Sequence, residues 1–279
     1  MNDFFFHCVP QSQDDEPDYG QRACAIAIAE NPANDRSISP GDGLHTKFWK
    51  PGRTLSFRFV RANGTPLPLE QAQAIFSAGS GWLSYANLKF ELFNALDEAQ
   101  QQARLDAQEM AEESGLAPAE LAQLDYHSPS WCLLFKVSFA STRCSSIAIG
   151  TDSRLGGYCM SLDLVPPEHP DFEAHVLHTF GHLLGLRLEH LHPDADVPWD
   201  VDKALEAFAK SGWGPASSNA YLFDKLPYGE ILPMPYDPTS IMHLAIPGFV
   251  THNGWEQPPN KCIGPGDIAR ARLAYPATQ

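Results

Sequence analysis

The stretch HVLHTFGHLLGLRLEHLHPDAD, residues 175–196, limits what this chain can fold into more than any other segment. It predicts a helix from about Phe172 to Leu184, stopped by Gly185, because glycine enters left-handed backbone without a Cβ penalty. His178 and His182 stand four residues apart, so their rings leave one face of that helix a single turn apart. Two imidazoles so placed can share one metal ion, provided other donors arrive from elsewhere. His175 lies about 10 Å along the axis from His182, too far for one straight helix to bring all three onto one ion.

The rest of the chain reads as mixed α and β structure. Its 279 residues suffice for one large domain or two modest ones, and 43% hydrophobic and 11% aromatic residues argue against disorder. Twenty-four prolines and twenty glycines call for many turns rather than a helical bundle. The net charge of −15 argues against a nucleic-acid or anionic-membrane partner, since phosphate is held by clustered positive charge. That acidity is local. Four acids lie between Asp14 and Asp18, and eight lie between Asp97 and Asp125 against Arg104 alone, which leaves the remainder near neutral. No apolar run is long enough to cross a bilayer. The N-terminus shows neither a basic start nor a sustained apolar stretch, so a cytoplasmic protein is expected. The six scattered cysteines are then expected to be mostly buried thiols, with Cys144 and Cys159 the pair to test first.

Residues 1–42 read as a polar, proline-rich tail, and residues 43–279 as one domain with lobes at 43–185 and 186–279. In TLSFRFV, Leu55, Phe57 and Phe59 alternate with polar residues as in a half-buried strand. PLEQAQAIFSAGSGWLSYA predicts a helix burying Ile75, Trp82 and Leu83, and LKFELF a second strand. Residues 95–127 read as an acidic insertion of two amphipathic helices, the second starting near Ser114 with Pro118 in its first turn, and a possible protein contact. Three strands follow, in SWCLLFKVSFA, SSIAIGT and GYCMSLDLV, and short helices are expected at DVDKALEAFAKS and GPGDIARARLAYP.

VLHTFGHLLGLRLEHLHP, taken with YDPTSIMHLAIP downstream, resembles the astacin-like branch of the metzincin zinc peptidases. That family carries H-E-x-x-H-x-x-G-x-x-H-E on its active-site helix and the following turn, and S-x-M-H-Y at its Met-turn. KFWKPGRTLSFRF, YANLKFEL, IAIGTD, VPWD and the terminal GPGDIARARLAYP fall in the family's order, so the likeness covers residues 45–276 apart from the insertion. It implies an α+β zincin fold, with a twisted mixed sheet and the active-site helix in the first lobe and a loop-rich second lobe. His178 and His182 match the first two zinc ligands and Gly185 the glycine of the turn. Glu189 matches the glutamate after the third ligand, and Ser240, Met242 and His243 match the Met-turn.

The departures fall on the chemistry. Thr179 stands where the family has its catalytic glutamate, and a hydroxyl cannot act as that base near neutral pH. Leu188 stands at the third histidine ligand and has no donor atom; Leu244 replaces the tyrosine beside the zinc. No cofactor is therefore expected. Zinc would require a shifted loop offering His190 or His192. The expected function is that of a non-proteolytic protein reusing an apolar cleft, lined by Thr179, Leu188, Leu244, Tyr158 and Met160. In that cleft His178 or His182 would move a proton in a metal-independent cyclisation or isomerisation of a small organic substrate. One alternative is a dead peptidase that binds a polypeptide by strand addition along YCMSLDLV, expected as the cleft's rim. The last is an atypical zinc peptidase.

Overall fold

The computed structural model describes residues 7–10, 19–38, 44–113, 132–139, 144–154 and 160–277. Its centre is a six-stranded mixed sheet made of β1 (His7–Pro10), β2 (Thr54–Arg61), β3 (Lys89–Leu92), β4 (Cys132–Ser138), β5 (Cys144–Ile147) and β6 (Met160–Asp163). The spatial order is β1-β5-β6-β4-β2-β3. β5 runs antiparallel to β6, and every other pairing is parallel. Helices α1 (Tyr19–Glu30), α2 (Leu69–Gly79) and α3 (Glu98–Glu113) belong to the first half of the chain. α4 (Phe172–Leu183), α5 (Val201–Lys210), α6 (Pro215–Leu222) and α7 (Pro265–Ala274) belong to the second.

The alternation in TLSFRFV sets one face of the sheet. Phe57 and Phe59 are fully buried, and Phe57 stacks on Phe180 of α4 with ring centres 5.0 Å apart. α2 comes close enough to α4 that a Cβ on Gly79 would lie 2.3 Å from the Phe180 ring. The helical carbonyls left open at the end of α4 are satisfied from distant parts of the chain. Trp49 Nε1 donates to the Leu183 carbonyl at 2.8 Å, and the Tyr275 hydroxyl to the Leu184 carbonyl at 2.5 Å. Gly185 then turns the chain at φ +90°, as the sequence anticipates.

Among the described residues, two large apolar cores result beside a small one of Ala23 and Ile26, and the large ones do not divide at residue 185. The larger runs from Phe48 to Tyr275 and includes Ile241, Met242 and Ala271 from the second half of the chain. The smaller gathers Leu188, Leu191, Val197, Phe208, Tyr221, Leu244, Ile246 and Val250. α5 appears where DVDKALEAFAKS predicts it; α6 has little amphipathic pattern and was not anticipated.

Residues 1–42 are not simply a polar tail. β1 adds to the sheet beside β5, and α1 buries Ala23, Ile26 and Ala27. Asn34, fully buried, donates to the Ala27 and Phe48 carbonyls at 2.8 Å each and accepts from Thr46 Oγ1 at 2.9 Å and the Phe48 amide at 3.0 Å. All four of its hydrogen-bonding positions are used. Glu30, also buried, pairs with Arg154 and, at 3.7 Å, with Arg53. The docking thus relies on small and polar side chains, and composition alone does not reveal them.

Two further expectations change. β6 is not a rim: it lies between β5 and β4, and the outer side of β5 is taken by β1. In the acidic insertion, α3 is the first helix, tied to β3 by its one base, whose Nη2 donates to Glu91 Oε1 at 2.9 Å. The second helix, near Ser114 and Pro118, falls outside the described residues, as does Cys159 of the cysteine pair. Cys262 is a free, exposed thiol.

Removing one partner of a buried ion pair strands the other charge in a medium that solvates it poorly. Glu30→Ala should therefore lower unfolding free energy by about 3 to 5 kcal/mol in urea denaturation. A loss below about 1 kcal/mol would show that Arg154 finds water or another carboxylate instead.

Candidate functional site

α4 carries His178 and His182 side by side, with ring centres 4.9 Å apart and planes at 89°. His178 Nδ1 bonds the Ile241 carbonyl at 2.8 Å, and His182 Nδ1 the Leu186 carbonyl at 2.9 Å. A carbonyl only accepts, so each Nδ1 holds the proton and each Nε2 is left with its lone pair. Both Nε2 atoms are buried and lack a hydrogen-bond partner among the described residues. Burial lowers the pKa of both rings, and for His182 the neighbouring His178 lowers it further, so both are neutral at pH 7.

A catalytic zinc site of the family's kind takes three protein donors and keeps one open position. These residues do not fit one. Leu188 is only 3% exposed and packs into the smaller core with Leu244. His190 is turned away, its Nε2 on the Tyr221 carbonyl at 2.9 Å. His192 uses both ring nitrogens, on the Met234 carbonyl at 2.9 Å and the Asp194 amide at 3.1 Å. Glu189 is held by Arg270 at 2.6 Å and accepts from the Asp237 amide at 2.7 Å. Among the described residues, no three His, Cys, Asp or Glu side chains form a metal-binding group.

The turn at Ser240–His243, expected as a Met-turn, is densely hydrogen-bonded. Asp267 of α7 accepts from Ser240 Oγ at 2.5 Å and from the Ile241 and Gly264 amides at 2.8 and 2.9 Å, and Ser240 Oγ accepts in turn from the Met242 amide at 3.0 Å. Met242 lies against α4, where a Cβ on Gly181 would come 2.2 Å from its sulfur. His243 donates from Nδ1 to the Leu244 carbonyl at 2.7 Å and accepts from the Tyr236 hydroxyl at 2.8 Å. Both of its nitrogens serve the turn.

Of the residues expected to line the cleft, Leu188 and Leu244 border cavities among the described residues. Thr179 is 1% exposed inside α4, Met160, on β6, is buried in the larger core, and Tyr158 lies outside the described residues. What remains beside the histidines is a recess of about 20 Å³ lined by His175, His178, His243 and Leu244, room for one water molecule. His182 does not line that recess. A much larger cavity, about 430 Å³, opens on the other side of Leu188, between α1, the turn at Gly150–Arg154 and α6. Its walls include Leu188, Leu191, Trp213, Tyr221, Lys47 and Asp152, and neither His178 nor His182. The sequence gives little sign of it, because Lys47, Asp152 and Trp213 are far apart in the chain and share no motif.

No protein-family model matches this sequence, and no curated protein matches it. Solved structures do. A structure of myroilysin superposes with a TM-score of 0.63 at 19% identity, covering 84% of this chain and 97% of that one. A crystal structure of myroilysin gives 0.52 at 19% identity, covering 86% and 89%. High choriolytic enzyme 1, a hatching-enzyme zinc-protease from Oryzias latipes, gives 0.50 at 16% identity, covering 83% and 96%. The fold is that of the astacin-like metzincins.

The buried histidines set an acid limit on stability. Burial lowers the His190 pKa to about 3, against 6.5 in the unfolded chain, and lowers those of His178 and His182 too. Below pH 6.5 the unfolded chain takes up the protons first, so stability is complete above that value and declines as the pH falls toward 3. The His190 share should approach ~1.4 kcal/mol per pH unit in urea titrations, and His190→Gln should remove that share. An unchanged slope in the variant would mean His190 titrates normally.

Proposed function

We propose that this chain is a metzincin-fold protein without peptidase activity that binds a small organic molecule. The observation that carries the reading is the sealed histidine pair. His182 is 1% exposed, Leu188 stands in place of the third donor, and Leu188 and Leu244 close the second lobe as ordinary core residues. Thr179, buried within α4, offers no base to activate water.

Two observations favour a small molecule over a polypeptide. Strand addition beside the cleft needs an open edge, and the edge of β5 is already paired with β1. A cavity of about 430 Å³ lies within the range of small-molecule sites. An enzymatic form of the reading, a cyclisation or isomerisation with proton transfer by His178 or His182, would need a substrate at those rings. The recess beside His178 admits a water and no substrate, so binding is the form we favour.

Protein purified without chelator should retain less than about a tenth of an equivalent of zinc and should not cleave casein. Stoichiometric zinc with casein cleavage would overturn the reading. Thr179→Glu, Leu188→His and Leu244→Tyr together should restore zinc binding. A folded triple variant that stays metal-free would show that the residue matching is wrong.

A further inference from the structure

The 430 Å³ cavity carries a more specific assignment, which rests on the small-molecule reading above. Asp152 on its wall is only 4% exposed. Lys47 Nζ lies 2.5 Å from Asp152 Oδ2, and the Tyr19 hydroxyl donates to the same oxygen at 3.2 Å. The other oxygen, Oδ1, is buried and has no hydrogen-bond partner among the described residues. A carboxylate oxygen left unsatisfied away from water is costly, and such groups ordinarily have a partner.

The charges on the walls narrow what that partner is. Lys47 is offset by Asp152, and Arg187 faces Glu230 at 3.4 Å. Lys225 and Asp224, adjacent in the chain and both on the exposed rim, add one charge of each sign. The formal sum over these groups is zero. An anionic ligand would meet the Asp152 carboxylate, and a cationic one would compete with Lys47 for it. Between these polar groups the wall is apolar and aromatic, with Leu188, Leu191, Trp213 and Tyr221. We propose that the cavity binds an uncharged, largely apolar organic molecule bearing a hydroxyl group, which donates to Asp152 while the body of the molecule packs on Trp213 and the leucines.

The test uses three probes of one shape on the full chain at pH 7, followed by fluorescence or calorimetry. 2-Naphthol is neutral and donates, 2-methoxynaphthalene is neutral and cannot, and 2-naphthoate is an anion. 2-Naphthol should bind about tenfold more tightly than the methyl ether, the scale of one hydrogen bond to a charged acceptor. Asp152→Asn should shrink that preference. Because that change also removes the Lys47 ion pair, a second variant is needed. Ala220→Trp places bulk on the exposed wall of the cavity and should weaken all three probes without moving the melting temperature. Equal binding of naphthol and its ether, or tightest binding of the naphthoate, overturns the assignment, as does naphthol binding that survives Ala220→Trp. Zinc content and casein cleavage are read separately. A zinc-loaded, casein-cleaving protein that still binds 2-naphthol through this wall would sink the non-proteolytic reading alone.

Discussion

The contact between Met242 and α4 at Gly181 is the one on which the two halves of the molecule depend. It exists because position 181 has no side chain, which lets the sulfur lie where a Cβ would otherwise sit. Asp267 fixes the other side of the same turn through the Ser240 hydroxyl and the Ile241 amide, while it also accepts from the Gly264 amide at the start of its own helix. A carboxylate accepting that many hydrogen bonds sets a loop as firmly as a short strand does. The helix that carries the histidines, the turn beneath it and the last helix of the chain therefore form one block.

Below the histidine helix, the second lobe is held by hydrocarbon. Burying a leucine side chain contributes roughly 1.5–3 kcal/mol and demands no partner of defined geometry. Leu188 and Leu244 pack with Leu191, Tyr221 and Ile246, so the second lobe closes on its own apolar core. The histidines are left with spent Nδ1 protons and dry Nε2 lone pairs. Leu188 also forms part of the wall of the larger cavity, so one side chain belongs both to a core and to a cavity wall.

How much of this was legible depended on the range of the interactions. The helix before Gly185 and strand β2 are local patterns and stand where the sequence puts them, although β2 buries Ser56 and Val60 as well as Leu55, Phe57 and Phe59 and is not half-buried. The departures at Thr179, Leu188 and Leu244 were also readable, because the family pattern fixes what each place should hold. The docking of residues 19–38 was not, since it depends on Asn34 and Glu30, residue types that are mostly exposed. Nor was the fate of the cleft. An absent ligand can leave a pocket or a plug, and only the packing of Leu188 against the second lobe decides between them. Strand order failed for a similar reason: a rim is defined by what lies beyond it, and β1 is more than a hundred residues away in the chain.

That distance also has a meaning in time. β1 is synthesised more than a hundred residues before β5, so the outer ribbon of the sheet cannot form until the chain has been made to Ile147. Closing so long a loop costs little more entropy than closing one half its length, but it must wait for its partner. β1 must therefore wait, unpaired on that side, while β2, β3 and β4 are made.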